Sequence, residues 1–120
     1  MRRFNILAPL VAVAVAASLA ACGDSTSPPA NANKAVDVFT VNIAFSPAIV
    51  QIATGDTVRF NIVPAANGEG HDVTFDAANG VPKNIPVTRD SVIARIFGTR
   101  GDFKYNCFVH PGMSGEVQVQ

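Results

Sequence analysis

The chain has 120 residues, the size of one domain, with 9 basic and 9 acidic side chains and a formal net charge of zero. No basic stripe or run of like charge occurs, which argues against nucleic acid as a partner. Hydrophobic residues make up 48 % of the chain, but the longest nearly apolar run, residues 6–21, is 16 residues and falls short of the roughly 20 that span a bilayer as a helix.

The N-terminus reads as an export leader, residues 1–21. Arg2 and Arg3 precede the apolar run, which ends in Leu19-Ala20-Ala21-Cys22. That ending resembles a bacterial lipobox. The resemblance implies cleavage before Cys22 and lipidation of its thiol, anchoring the mature chain to an envelope membrane. An ordinary secretory signal cleaved among the alanines is the plainer alternative. Without the leader's two arginines, acidic residues outnumber basic ones by two. Residues 22–33 (the anchor cysteine, then small, polar and Pro-containing residues) cannot bury enough apolar surface to offset the entropy of ordering. They read as a flexible tether, with a mean reach of roughly 18 Å as a coil and about 40 Å at full stretch.

Residues 34–120 form the domain. Apolar residues alternate with period two throughout, which predicts strands. Phe39, Val41, Ile43 and Phe45 are expected on one face of the first strand, and Val50 and Ile52 follow Ser46-Pro47. Thr54-Gly55-Asp56-Thr57 is a turn, after which Val58, Phe60 and Ile62 alternate. His71, Val73 and Phe75 share a face of a short strand that His71 opens. Residues 76–90 read as a short helix or an irregular loop. Val92, Ala94 and Ile96 alternate next, then Phe103, Tyr105 and Cys107, and finally Val117 and Val119. Phe39, Phe45, Phe60, Phe75, Phe97, Phe103 and Tyr105 are expected in the core. Many short strands separated by turn residues indicate an all-β Greek-key sandwich.

The chemistry gathers in one place. Both histidines of the chain, the only cysteine after Cys22 and the only methionine after Met1 form one set: His71, and the run Cys107-x-x-His110-x-x-Met113. Two imidazoles, a thiolate and a weak axial thioether are the donors of a blue-copper electron-transfer site. Met is a poor zinc ligand, and covalent haem would need Cys-x-x-Cys-His, which is absent. A thiol hydrolase would need an exposed Cys107 and a third, orienting group.

Phe45-Ser46-Pro47, Gly55-Asp56-Thr57-Val58, Gly70-His71-Asp72-Val73 and Tyr105-Asn106-Cys107-Phe108-Val109-His110-Pro111-Gly112-Met113, in that order, resemble the cupredoxins of the plastocyanin and amicyanin group. The spacing on either side of His110 is most similar to amicyanin. The resemblance implies one type 1 copper ion held by His71, Cys107, His110 and Met113. It implies electron transfer between larger redox proteins of the envelope, with the edge of His110 as the electron port. It places Gly70 and Asp72 beside the metal, with the Gly70 carbonyl able to approach copper opposite Met113. Gly68, Pro111 and Gly112 fall in an apolar docking patch around His110. Where the family commonly has Asn, this chain has Asp72, which cannot donate a hydrogen bond when ionised and should favour Cu(II) over Cu(I).

The resulting expectation is a monomeric, non-enzymatic electron carrier, lipid-anchored with its domain in the periplasm or outside the cell. A copper-handling module, chaperone or sensor, is the alternative. With two histidines in total, the chain has no ligands for a second, catalytic copper.

Overall fold

The computed structural model describes residues 33–120. The leader, Cys22 and nearly all of the tether lie outside the described residues. Among the described residues, nine strands form two mixed sheets: β1 (Ala35–Val41), β2 (Ala44–Ser46), β3 (Ile49–Ile52), β4 (Thr57–Ile62), β5 (His71–Phe75), β6 (Ile85–Thr88), β7 (Ser91–Ile96), β8 (Gly101–Asn106) and β9 (Ser114–Val119). One sheet has the order β2-β1-β4-β7 and the other β3-β9-β8-β5-β6. β1 runs parallel to β4, and β3 runs parallel to β9. No helix occurs among the described residues, and the all-β sandwich expected from the alternation is what forms.

The core lies between the sheets. Val58, Phe60 and Ile62 from β4 face Val73, Phe75, Phe103, Tyr105 and Val117 from the other sheet, all buried. The aromatic rings pack edge to face, with Tyr105 at 4.8 Å from Phe45 and 5.4 Å from Phe60 between centroids. Such pairs add to the gain from burial. Gly115 is paired with Tyr105 across β8 and β9, and a Cβ there would stand 2.4 Å from the phenol ring. Only glycine leaves room for this tyrosine.

Two expectations are corrected. In β1 the buried residues are Val38 and Thr40, while Phe39 and Val41 point to solvent. Ile43 is exposed as well, and only Phe45 of the expected quartet is buried. The tight turn at Asn42, with φ of 54°, breaks the strand and resets the alternation before Phe45. Segment 76–90 contains no helix. It is irregular to Asn84 and then forms β6, whose Ile85 pairs with Val73 and Thr88 with His71. The irregular part is held by Arg95, whose Nε donates to the Lys83 carbonyl (2.6 Å) and Nη2 to the Asn84 carbonyl (3.0 Å).

The poles of the sandwich differ. At one, Asp56 closes the turn by accepting hydrogen bonds from the backbone N–H groups of Lys34 and Ala53, each 2.9 Å. β1 begins there and runs for seven residues, about 23 Å at strand rise, toward the other pole. That far pole carries the start of β5 and the end of β8.

Candidate metal centre

His71 opens β5, and Cys107 directly follows β8, its neighbour in the sheet. With Thr74 opposite Asn106, the antiparallel register brings the residues before Thr74 alongside those after Asn106. His110 and Met113 return on a short loop. The Met113 N–H donates to the His110 carbonyl (3.1 Å) and the Cys107 N–H to the Met113 carbonyl (2.9 Å), so both ends of the loop are tied. Gly112, with φ of 87°, supplies the left-handed turn that lets it close.

The donor atoms converge. His71 Nδ1 lies 3.8 Å from Cys107 Sγ and His110 Nδ1 lies 3.7 Å from the same sulfur. The ligand atoms of the three residues lie within 4.8 Å of one another, and all three residues are buried. Met113 is buried beside them. One thiol has one S–H and cannot donate to two imidazoles at once, whereas a shared metal ion satisfies both. With metal–nitrogen and metal–sulfur bonds of about 2.05 and 2.3 Å, a trigonal angle puts nitrogen and sulfur about 3.8 Å apart. The observed separations match that value.

Electrostatics favour the ligand form of His71. Burial and the neighbouring His110 lower its pKa, against an opposing pull from Asp72 and the Val63 backbone, so the ring is held neutral. Burial raises the Cys107 pKa, partly offset by backbone hydrogen bonding around it. A metal must therefore displace the thiol proton.

Two carboxylates frame the loop. Asp72, itself buried, accepts at Oδ1 from the Phe108 N–H (2.8 Å) and the Val109 N–H (3.3 Å), and at Oδ2 from the Thr74 hydroxyl (2.8 Å). Glu69 Oε2 lies 3.2 Å from His110 Nε2. Burial alone would raise the Asp72 pKa. Hydrogen bonds from the Thr74 hydroxyl and the two amides, with the nearby Cys107 thiol, outweigh it, and the net shift is downward. Glu69 is also lowered, first by the Asn67 amide and then by His110.

No protein-family model and no curated protein matches the chain. Solved structures do. Amicyanin from Paracoccus versutus is 27 % identical, with 72 % of this chain covering 81 % of that one at a TM-score of 0.59. Pseudoazurin from Methylobacterium extorquens AM1 is 25 % identical, with 72 % of this chain covering 75 % of it at a TM-score of 0.57. A Cu-containing nitrite reductase from Thermus scotoductus SA-01 is 26 % identical at a TM-score of 0.62, but the match spans only 22 % of that enzyme and 72 % of this chain. The domain has the cupredoxin fold. Within this fold, His71, Cys107, His110 and Met113 are positioned as a copper site.

The remaining residues singled out in the sequence fall into two groups. Asp72 ties β5 to the cysteine loop, and it does so by accepting two amide protons. The absent side-chain donor is therefore no obstacle to joining strand and loop. Gly70 packs so tightly on β6 that a Cβ would stand 2.5 Å from the Thr88 carbonyl oxygen. Gly68, Pro111 and Gly112 are exposed at this pole, and Phe108, 75 % exposed, lines a surface cavity with Asp72, Thr74 and the β6 residues Ile85, Pro86 and Val87. His110 departs from expectation: it is buried, and a carboxylate rather than an apolar rim meets its outer edge. Sequence reading passed over Glu69. The Asn67-Gly68-Glu69 turn two residues before His71 was the available signal, but nothing local says that it reaches His110, 41 residues on.

Proposed function

We propose that this cupredoxin carries single electrons between redox proteins of the cell envelope, tethered to a membrane through lipidated Cys22. The observation that supports it most is the pair of buried imidazole nitrogens at 3.7 and 3.8 Å from one buried thiol. Bound copper would accept one electron from a donor protein as Cu(II) and release it to an acceptor as Cu(I). The chain's own residues keep that exchange simple. The tied loop and the buried strands hold the donors in one arrangement, so little has to move when the charge changes. Burial of all three strong donors speaks for a resident ion rather than an exchangeable one, and so for a carrier over a chaperone. The chain's two histidines are both used here, which supports a carrier over an enzyme with a second copper.

The tether enters at the pole where β1 begins, and the site occupies the opposite pole. Anchoring there leaves the exposed Phe108, Pro111 and Gly112 surface free for partners. Titration of the full chain with Cu(II) tests the reading. An intense thiolate-to-copper band that saturates at one equivalent, and is lost in Cys107→Ala, is expected. A colourless product refutes the electron carrier and favours the copper-handling module. Cys22→Ser should move the protein from the membrane to the soluble fraction; an unchanged distribution refutes the anchor.

A further inference from the structure

The carboxylate over His110 is built, not incidental. The turn leading to it is closed by Gly68 N–H to the Ala65 carbonyl (2.8 Å) and Ala65 N–H to the Glu69 carbonyl (2.9 Å), with Gly68 at φ of 81°. Asn67 then clamps Glu69 twice: its Nδ2 donates to Oε2 (2.6 Å) and its Oδ1 accepts the Glu69 N–H (3.1 Å). The clamped Oε2 is the oxygen that faces His110 Nε2. Since Nδ1 of the same ring faces Cys107 Sγ, a proton fixed on Nε2 leaves the Nδ1 lone pair free for a metal.

We propose that Glu69 is a positioning residue that acts on the metal through His110. It fixes the ring's tautomer and orientation and places a negative charge at the back of the ligand. Outer carboxylates of this kind raise the basicity of a metal-bound imidazole, and their loss typically costs about 10–100-fold in metal affinity. The charge acts more strongly on Cu(II) than on Cu(I), because the ion it faces carries one more unit of charge. Glu69 therefore holds the reduction potential down. It also makes the outer edge of His110 an anionic contact, where an apolar rim would otherwise lie.

The inference rests on the copper reading above, and the experiment separates the two. Wild type, Glu69→Ala, Glu69→Gln and the control Asp102→Asn are prepared as full chains and loaded with copper. Asp102 sits in β8 near its far end, so its variant removes one charge away from the site. If wild type gives no thiolate-to-copper band, the copper reading fails and takes this one with it. If it does, Glu69→Ala should lose about tenfold or more in Cu(II) affinity. Each tenfold loss confined to Cu(II) raises the potential by about 59 mV. Glu69→Gln keeps an acceptor but not the charge, so it should shift the potential in the same direction. In the diamagnetic Cu(I) form, the His110 Nε2–H proton should be visible by NMR in wild type and Glu69→Gln, and lost to exchange in Glu69→Ala. Potentials and affinities in both Glu69 variants no different from Asp102→Asn would overturn the proposal. So would an Nε2–H proton equally protected in Glu69→Ala.

Discussion

Replacing Asp72 by alanine should loosen the cysteine loop without removing a ligand. The buried carboxylate serves three donors. The Phe108 N–H and the Thr74 hydroxyl, both at 2.8 Å, are the strong contacts, and the Val109 N–H at 3.3 Å is weaker. Hydrogen bonds to a charged group contribute about 1.5–3 kcal/mol each, and a buried donor stranded without a partner costs a similar amount. The two amides lie in a half-buried loop where water can reach them, which reduces the loss. A destabilisation of about 2–3 kcal/mol follows, or roughly 10–20 °C in Tm for a domain of this size. Asp72→Asn behaves differently. Its amide oxygen still accepts from Phe108 and Val109, and its NH2 can donate to the Thr74 hydroxyl, which accepts as readily as it donates. The loss there should stay below about 1 kcal/mol. Thermal melts of the metal-free variants measure the difference, and hydrogen exchange at the Phe108 and Val109 amides locates it. Equal melts for the two variants, or unchanged exchange at those amides, would refute the reasoning that acceptor pattern, not charge, staples β5 to the loop.

Other consequences are open to measurement. Tyr105 is the chain's only tyrosine and it has no tryptophan, so phenolate absorbance reads this one residue. Burial raises its pKa far above that of a free phenol. The stability tied to that shift is complete below about pH 10 and falls by about 1.4 kcal/mol per pH unit above it, as the unfolded phenol ionises and the buried one does not. Tyr105→Phe should abolish that part of the alkaline loss. It should also stabilise the domain at neutral pH by about 1 kcal/mol, because the buried hydroxyl has no partner among the described residues; a less stable Phe variant would contradict this. Gly115→Ala should destabilise by about 1–3 kcal/mol, since its methyl would overlap the Tyr105 ring, and an unchanged melt would show that the ring can move aside. Phe108→Ser should leave the visible band and the potential unaltered while slowing electron exchange with a docked protein about tenfold, as loss of one interface anchor does; an unchanged rate would place docking elsewhere.

The pattern readings succeeded where the signal was local and failed where it was not. Val58, Phe60 and Ile62 alternate within one unbroken strand, so their buried face was legible. Phe39 and Phe45 lie on two strands separated by a left-handed Asn42, and the same count of residues put them on opposite sides. β6 was missed because it is only four residues long and Pro86 interrupts its β-branched Ile, Val and Thr, which argues against a strand when read locally. It exists because Val73 and His71 offer it an edge.

Sequence alone determined the donor set. Cys107, His110 and Met113 sit within seven residues, and their identities admit few ions, because the choice of nitrogen and sulfur donors is chemistry that needs no coordinates. Period-two alternation determined that the domain is a β-sandwich, since each strand must bury one face. Tertiary structure decided everything that depends on approach through space. It brought His71 to within 3.8 Å of a sulfur 36 residues away and turned Asp72 onto the loop's amides. It also set Glu69 against the outer nitrogen of His110. Those contacts are made by the pairing register of β5 with β8 and by a glycine turn at the pole, and neither is fixed until the sheets have formed.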